Sequence, residues 1–421
     1  MKILIMTNTY KPVLGGLERS IEIAAGEYRK RGHEVLIVCP EYKKSQHEEG
    51  VLRIPALKDL GENKFSLQIP VPGIEDKILK KFIPDIIHLQ HPFLIAESAL
   101  RISEKNKIPL VLTYHTLFEQ NLDHYLPVSL DIMKKFIIKL FTGFAELCDA
   151  VIAPSDSIKD LLKEEHQVKT QIEVIPTGIY VKQYDKFNKA DSRRRLGIHP
   201  DIKLIGFISR ISKEKNLDFL VKAVSLAMKK DEDLHFLVAG KGNYEEEIKN
   251  HFHNENLNSR FHYVGILEGD ELICAYDALD AFVYASKSET QGLVLAEAMA
   301  SGVPVIALDA PGVRDIVKDG VNGFLINEEK SELFAEKIID YFSIKDKNAI
   351  SKNALKTAQE YSVEKCINKI LSLFNLLIEN GKKQERPNKS NWEKHLRGLK
   401  TEIELLSNLG DATKTVFGDK K

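Results

Sequence analysis

A repeated alternation of short apolar runs and helical stretches constrains this chain more than any other feature. Six runs of four to six residues punctuate the first half, at Lys2–Met6, Glu34–Cys39, Asp85–Leu89, Leu110–Thr113, Asp149–Ala153 and Ile172–Ile175. Six more follow, at Lys203–Ile208, Leu234–Ala239, Phe261–Val264, Ala281–Tyr284, Val303–Leu308 and Gly323–Ile326. Runs this short, rich in Ile, Val and Leu, read as strands buried on both faces. Between them apolar residues recur at helical spacing, as in Leu17, Ile21, Ala24, Ala25 and Tyr28. Strand–helix–strand repetition specifies a parallel sheet wound on both faces by helices. A chain of 421 residues can bury two such cores. The expected fold class is therefore α/β: two Rossmann-like, doubly wound domains facing across a cleft.

Pro176-Thr177-Gly178 closes the first unit, and the charge-rich run Tyr184–Arg195 reads as an interdomain linker. This sets expected boundaries at residues 1–183 and 196–361. From Gly381 onward ten Lys/Arg stand against six Asp/Glu, and Trp392, Leu396, Leu399, Ile403 and Leu406 recur four and three apart. Such a basic amphipathic tail (381–421) suits intramolecular packing, dimerisation or a lipid surface equally. The net charge of −1 gives no electrostatic reason to expect nucleic acid. Cys39, Cys148, Cys274 and Cys366 are far apart, so neither a disulfide framework nor a zinc site is expected. The N-terminus turns polar too early for a signal peptide, and no apolar run reaches spanning length. The expected location is cytoplasmic, with room for peripheral attachment to the inner face of the cell membrane.

The chemistry concentrates at loops that follow strands, where open α/β sheets bind ligands. Glu289-Thr290-Gln291-Gly292-Leu293-Val294-Leu295-Ala296-Glu297 places one carboxylate just ahead of a helix and a second more than a turn inside it. Gly292 marks the expected helix start and Gly302 its end. The amides of Gly292, Leu293 and Val294 then lie at the positive end of the helix dipole and can bind an anion. A phosphate flanked by two polyols fits this spacing, which is the shape of a nucleoside diphosphate sugar. A capped surface helix explains either glutamate alone. Arg210 and Lys215 follow strand Lys203–Ile208 and precede a helix at Leu217–Met228, where cations can neutralise a diphosphate leaving group. Gly240-Lys241-Gly242 ends another strand in the same way and offers backbone room for a nucleotide. Gly15-Gly16 open the first helix without a G-x-G-x-x-G fingerprint, and a tight turn accounts for two glycines more readily than a phosphate loop. His115 directly follows a strand, which suits a functional and a structural histidine about equally. The helix Leu130–Phe144 combines a broad apolar face with Lys134, Lys135 and Lys139. It fits an anionic membrane interface or the core equally well.

Taken together, these residues resemble the retaining glycosyltransferases of the GT-B fold, specifically the large family four, from Met1 to about residue 380. Glu289–Glu297 matches that family's E-x-seven-E motif, with Gly15, Gly16, His115, Arg210 and Lys215 at its other donor positions. The resemblance implies that Glu297 binds the ribose and that Glu289 binds a hydroxyl of the transferred sugar. It implies that Arg210 and Lys215 hold the diphosphate, that Gly15-Gly16 line the phosphates, and that His115 meets the sugar near the reacting carbon. Glu289, His115, Arg210 and Lys215 are thus the expected catalytic residues, with a UDP-sugar donor, retained configuration, and no cofactor or active-site metal. It also implies that helices at about 362–380 return to the first domain. A finer resemblance, to bacterial diacylglycerol glucosyltransferases, rests on Gln90-His91-Pro92-Phe93, Thr113-Tyr114-His115-Thr116, His124-Tyr125-Leu126-Pro127 and Ile175-Pro176-Thr177-Gly178-Ile179. It implies a lipid acceptor taken from the membrane, with Lys134, Lys135 and Lys139 as the docking contact. Tyr180 departs from that pattern, which usually carries an acid there. The competing expectations are the same chemistry on a soluble acceptor, a sugar-nucleotide epimerase, and a non-catalytic nucleotide-sugar binder.

Overall fold

A computed structural model describes residues 1–13, 15–42, 47–60, 65–68, 74–117 and 130–381. Its first domain carries strands β1 (Lys2–Met6), β2 (Glu34–Pro40), β3 (Val51–Ile54), a hairpin of β4 (Ala56–Leu60) and β5 (Phe65–Gln68), then β6 (Ile86–Leu89), β7 (Leu110–Thr113), β8 (Ala150–Ala153) and β9 (Ile172–Val174). Among the described residues, seven of these form one sheet in the order β3-β2-β1-β6-β7-β8-β9. All its pairings are parallel. Helices α1 (Gly16–Lys30), α2 (Ile74–Lys81), α3 (Ile95–Asn106), α4 (Leu130–Ala145) and α5 (Asp156–Asp160) form its connections. Strand β3 and the antiparallel hairpin lie outside the sequence expectation. The edge position of β3 explains its weak signal: Val51, Leu52 and Arg53 stay half-buried, so its residues need not be uniformly apolar.

The second domain repeats the plan. After α6 (Lys189–Arg195) come β10 (Lys203–Ile208), α7 (Leu217–Lys230), β11 (Leu234–Ala239), α8 (Glu245–Asn254), β12 (Phe261–Gly265), α9 (Gly269–Asp277), β13 (Ala281–Tyr284), α10 (Leu293–Ala300), β14 (Val305–Leu308), α11 (Val313–Ile316) and β15 (Gly323–Ile326). The six strands align in parallel as β12-β11-β10-β13-β14-β15. Helices α12 (Ser331–Ser343), α13 (Asn348–Glu360) and α14 (Val363–Gly381) complete the described chain. In each sheet the winding reverses once, between β1 and β6 and between β10 and β13. A crevice opens at the carboxyl ends of the strands where connections depart in opposite directions. Each domain therefore presents one such crevice.

The run Tyr184–Arg195 joins the two domains and is itself packed. Its polar composition conceals packed structure: Ser192 and Arg193 are buried, and the Arg193 guanidinium donates to the carbonyls of Ala278 and Ile202 and pairs with Asp280 at 2.9 Å. A buried arginine paired and hydrogen-bonded on every side ties α6 to the second domain.

The last helix crosses back. Val363, Ile367, Ile370 and Phe374 of α14 share one core with Ile3, Ile5 and Tyr28 of the first domain. The crossing is tight because Gly178 has no side chain: a Cβ there would lie 2.5 Å from the Cα of Val363. Backbone bonds from Ile179 N–H to Tyr361 O, at 2.8 Å, and from Val363 N–H to Ile179 O, at 2.9 Å, seal the two crossing strands. In α4, Leu140, Phe141 and Phe144 lie in the core of the first domain, while Lys135 and Lys139 are exposed and Lys134 is half-buried. The segment His124–Pro127 and the tail at 382–421 lie outside the described residues. Among the described residues, no helix is long and apolar enough to cross a membrane.

Candidate active site

Topology brings the two charged loops of the second domain together. Arg210–Lys215 follows β10, Glu289 follows β13, and those strands are neighbours at the reversal point. Lys215 Nζ consequently sits 2.6 Å from Glu289 Oε1, with both side chains largely buried. Tyr284 Oη at 2.7 Å and Ser286 Oγ at 2.8 Å donate to the same oxygen. Burial alone would raise the Glu289 carboxyl. The Lys215 charge and the three donors outweigh it and hold the group below its ordinary value, so it is ionised. Burial, reinforced by the Glu289 charge, raises the Tyr284 hydroxyl well above its ordinary value and keeps it a donor. All three bonds converge on Oε1 and none engages Oε2. Arg210 is placed differently. It is mostly exposed and pairs with Glu214 at 2.8 Å.

Helix α10 begins at Leu293, one residue after Gly292, whose φ of 76° puts it in the left-handed region that glycine tolerates best. No side chain caps this end, and Leu293 and Val294 are only half-buried, so the first amides remain available to an anion. Glu297 lies one turn further on and is almost fully buried. Tyr276 Oη donates to its Oε2 at 2.9 Å. Its Oε1 lies 2.7 Å from Arg19 Nη1, and the buried Tyr184 hydroxyl interacts with both groups. The Glu297 charge raises the Arg19 guanidinium further above its ordinary value.

Arg19 belongs to the other domain. It lies in the first turns of α1, which opens at Gly15-Gly16 with Gly15 extended at φ −172°. A Cβ on Gly16 would meet nothing within 4 Å, so that side of the turn is open. Gly240 and Gly242 are tightly packed on their Cβ side. Cβ atoms at Gly240 and Gly242 would lie 1.9 and 1.8 Å from the carbonyl oxygens of Ser209 and Ile211. Those glycines let two loops pack closely.

At the carboxyl end of the first sheet, His115 Nε2 and Gln90 Oε1 are 2.7 Å apart. Burial lowers His115 to about 4, so the imidazole is neutral near pH 7. His91 Nδ1 accepts from the Asn8 amide at 3.1 Å. Asn8 also spans the next turn: its carboxamide donates to Phe93 O at 3.0 Å and accepts from Ile95 N–H at 3.3 Å. Leu94 lies between them at φ 56°, ψ −89°, 42% exposed. Non-glycine residues hold such a conformation only where surrounding bonds impose it.

The residues between the two glutamates close the cleft. Gln291 donates to Thr177 O at 2.9 Å and accepts from Thr177 N–H at 2.7 Å. Thr290 Oγ1 donates to His115 O at 3.1 Å, and Thr290 O accepts from Ser155 Oγ at 2.8 Å. One loop thus positions Glu289 and fastens the second domain to the first beside His115. Sequence reasoning missed Arg19, Tyr276, Tyr284, Ser286, Thr290, Gln291 and Gln90. Arg19 carried a usable signal, a cation in the early turns of the helix that Gly15-Gly16 open. The others act through tertiary contacts between loops.

Residues 14–183 match the family Glycosyltransferase Family 4, and residues 188–357 match Glycosyl transferases group 1. The alpha-monoglucosyldiacylglycerol synthase of Streptococcus pneumoniae is 33% identical over 334 residues, or 77% of this chain and 75% of that protein. The protein of the same name from Acholeplasma laidlawii is 26% identical over 399 residues, or 91% of this chain and 99% of that one. Among solved structures, Anabaena HepE in complex with UDP superposes with a TM-score of 0.72 at 22% identity, covering 89% of this chain and 100% of HepE. With two parallel sheets facing across a cleft and these relatives, the chain is a GT-B-fold glycosyltransferase that belongs to family 4, group 1.

Proposed function

We propose that the enzyme transfers a hexose, with retention, from a UDP-sugar such as UDP-glucose to a membrane lipid acceptor such as 1,2-diacylglycerol. The arrangement around Glu289 carries this reading. Its Oε1 is saturated by Lys215, Tyr284 and Ser286, which fixes the carboxylate and leaves Oε2 for a sugar hydroxyl. Glu297, on the helix whose amides would bind the diphosphate, then takes the ribose. In the reaction the bond from the anomeric carbon to the diphosphate oxygen breaks. The acceptor oxygen bonds to the same face of that carbon, and its proton passes to the departing diphosphate. Lys215, the α10 amides and Arg210 would stabilise the charge that develops on UDP, so this reading assigns the active site no metal. Neutral His115 would contact the sugar from the first domain.

Two observations support a lipid acceptor. The alpha-monoglucosyldiacylglycerol synthases are relatives by sequence. Leu94 is also held exposed at the carboxyl end of the first sheet, where this reading places the acceptor. In this reading Lys134, Lys135 and Lys139 face the anionic inner surface of the membrane. The burial of Leu140, Phe141 and Phe144 favours the alternative, a core helix and a soluble acceptor.

The test is a UDP-release assay crossing UDP-glucose, UDP-galactose and GDP-mannose with diacylglycerol vesicles and soluble alcohols. The anomeric configuration of the product is read by NMR. Release only with a UDP-sugar and vesicles, and an α-glycoside from an α-donor, is expected. Release with soluble acceptors alone selects the second reading, and interconversion of UDP-sugars without release selects an epimerase. Flotation with anionic vesicles adds an independent reading: Lys134→Glu, Lys135→Glu and Lys139→Glu together should abolish co-flotation.

A further inference from the structure

The pair between Arg19 and Glu297 joins the two domains across the cleft, and nothing in the expected donor chemistry accounts for it. Its carboxylate is nearly enclosed, whereas the guanidinium side chain is about half exposed, at 3% against 46%. Tyr276 satisfies Oε2. Oε1 is paired with the Arg19 guanidinium at 2.7 Å, and the buried Tyr184 hydroxyl interacts with both charged groups. A ribose hydroxyl that reaches Oε1 must take the place the guanidinium holds.

We propose that Arg19 is a positioning residue of the donor site: it pairs with the ribose-binding carboxylate Glu297 and must withdraw before a nucleotide can bind. This inference rests on the assignment of Glu297 to the ribose. The two partners sit on helices of different domains, α1 and α10, so their contact also bridges the cleft. Withdrawal is physically open to Arg19 because its exposed side chain can exchange Glu297 for water. Glu297 has no such freedom. A site whose competent form is only a fraction of the population binds with affinity reduced by that fraction, so an arginine engaged nine times in ten weakens nucleotide binding about tenfold.

The experiment is calorimetric titration of the full chain with UDP, for the wild type, Arg19→Ala, Glu297→Gln and the double variant. Circular dichroism confirms that each is folded. Arg19→Ala is expected to bind UDP three- to tenfold more tightly than wild type, and Glu297→Gln at least tenfold more weakly. In the Glu297→Gln background, removal of Arg19 should bring no further gain, because the carboxylate it competed for is gone. A merely structural ion pair would not raise ligand affinity when deleted. Unchanged or weaker UDP binding by Arg19→Ala, with Glu297→Gln weakened as expected, overturns the competition alone. Unchanged binding by Glu297→Gln overturns the ribose assignment and the competition with it.

Discussion

Glu289 and Glu297 share a motif but meet different surroundings. Glu289 accepts three bonds on one oxygen from groups of its own domain. Glu297 accepts from Tyr276 on one oxygen and pairs through the other with a cation from the opposite domain. If the first faces the sugar and the second the ribose, Glu289→Ala should cut turnover while leaving UDP affinity nearly unchanged. Glu297→Ala should weaken UDP by about 1.5–3 kcal/mol, the worth of a hydrogen bond to a charged group. Steady-state rates and UDP titration on both variants check this, and equal loss of UDP affinity would refute the division. The residue types at both positions are legible in the sequence, because two carboxylates around a helix start form a local pattern. The partners are not. Lys215 reads as a diphosphate ligand from its loop, yet its position beside Glu289 follows from β10 and β13 being adjacent, which only the sheet order reveals.

At the scale of elements, strands buried on both faces are the most legible, since each must be continuously apolar. The central strands β1, β7, β10, β11 and β13 begin and end where their apolar runs do. Edge strand β3 has no such signature, and α6 is obscured because its buried Arg193 is a charged residue satisfied by carbonyls and Asp280. The return of α14 to the first domain depends on one glycine. Gly178→Ala would place a methyl group 2.5 Å from backbone that cannot rotate away, so the crossing strands must separate. Overpacking of this kind costs about 1–3 kcal/mol. The expected result is a lower melting temperature and α14 amides that exchange faster than those of α7, measured by hydrogen exchange. Protection equal to wild type throughout α14 would show that the crossing tolerates the methyl group.

For the whole molecule, the histidines decide how stability responds to acid. Burial lowers His88 and His91 to about 3 and His115 to about 4, from an ordinary 6.5, with His115 adding repulsion to the first two. His235, His251 and His262 in the second domain are lowered by burial as well. The folded groups stay neutral where the unfolded chain takes up protons, so below pH 6.5 the unfolded state binds more protons than the native one. Stability is therefore fully present above about pH 6.5 and falls as the pH drops, until the folded values near 4 and 3 are passed. Each such histidine contributes a slope of about 1.4 kcal/mol per pH unit within its window. Glu289 opposes none of this above its ordinary carboxylate range. Its lowered value protects stability until the pH falls below about 4.5, and only then adds to the loss. Urea unfolding midpoints should accordingly decline steeply between pH 6.5 and 4.5, a range where carboxylates contribute little. His88→Gln removes one titrating group while leaving a polar side chain near Thr113 Oγ1, 2.7 Å from His88 Nε2 in the native fold. That variant should be less stable at pH 7 but show a shallower decline than wild type. A decline of unchanged steepness would mean that His88 titrates in the folded protein as it does in water, which its burial against Phe374 forbids.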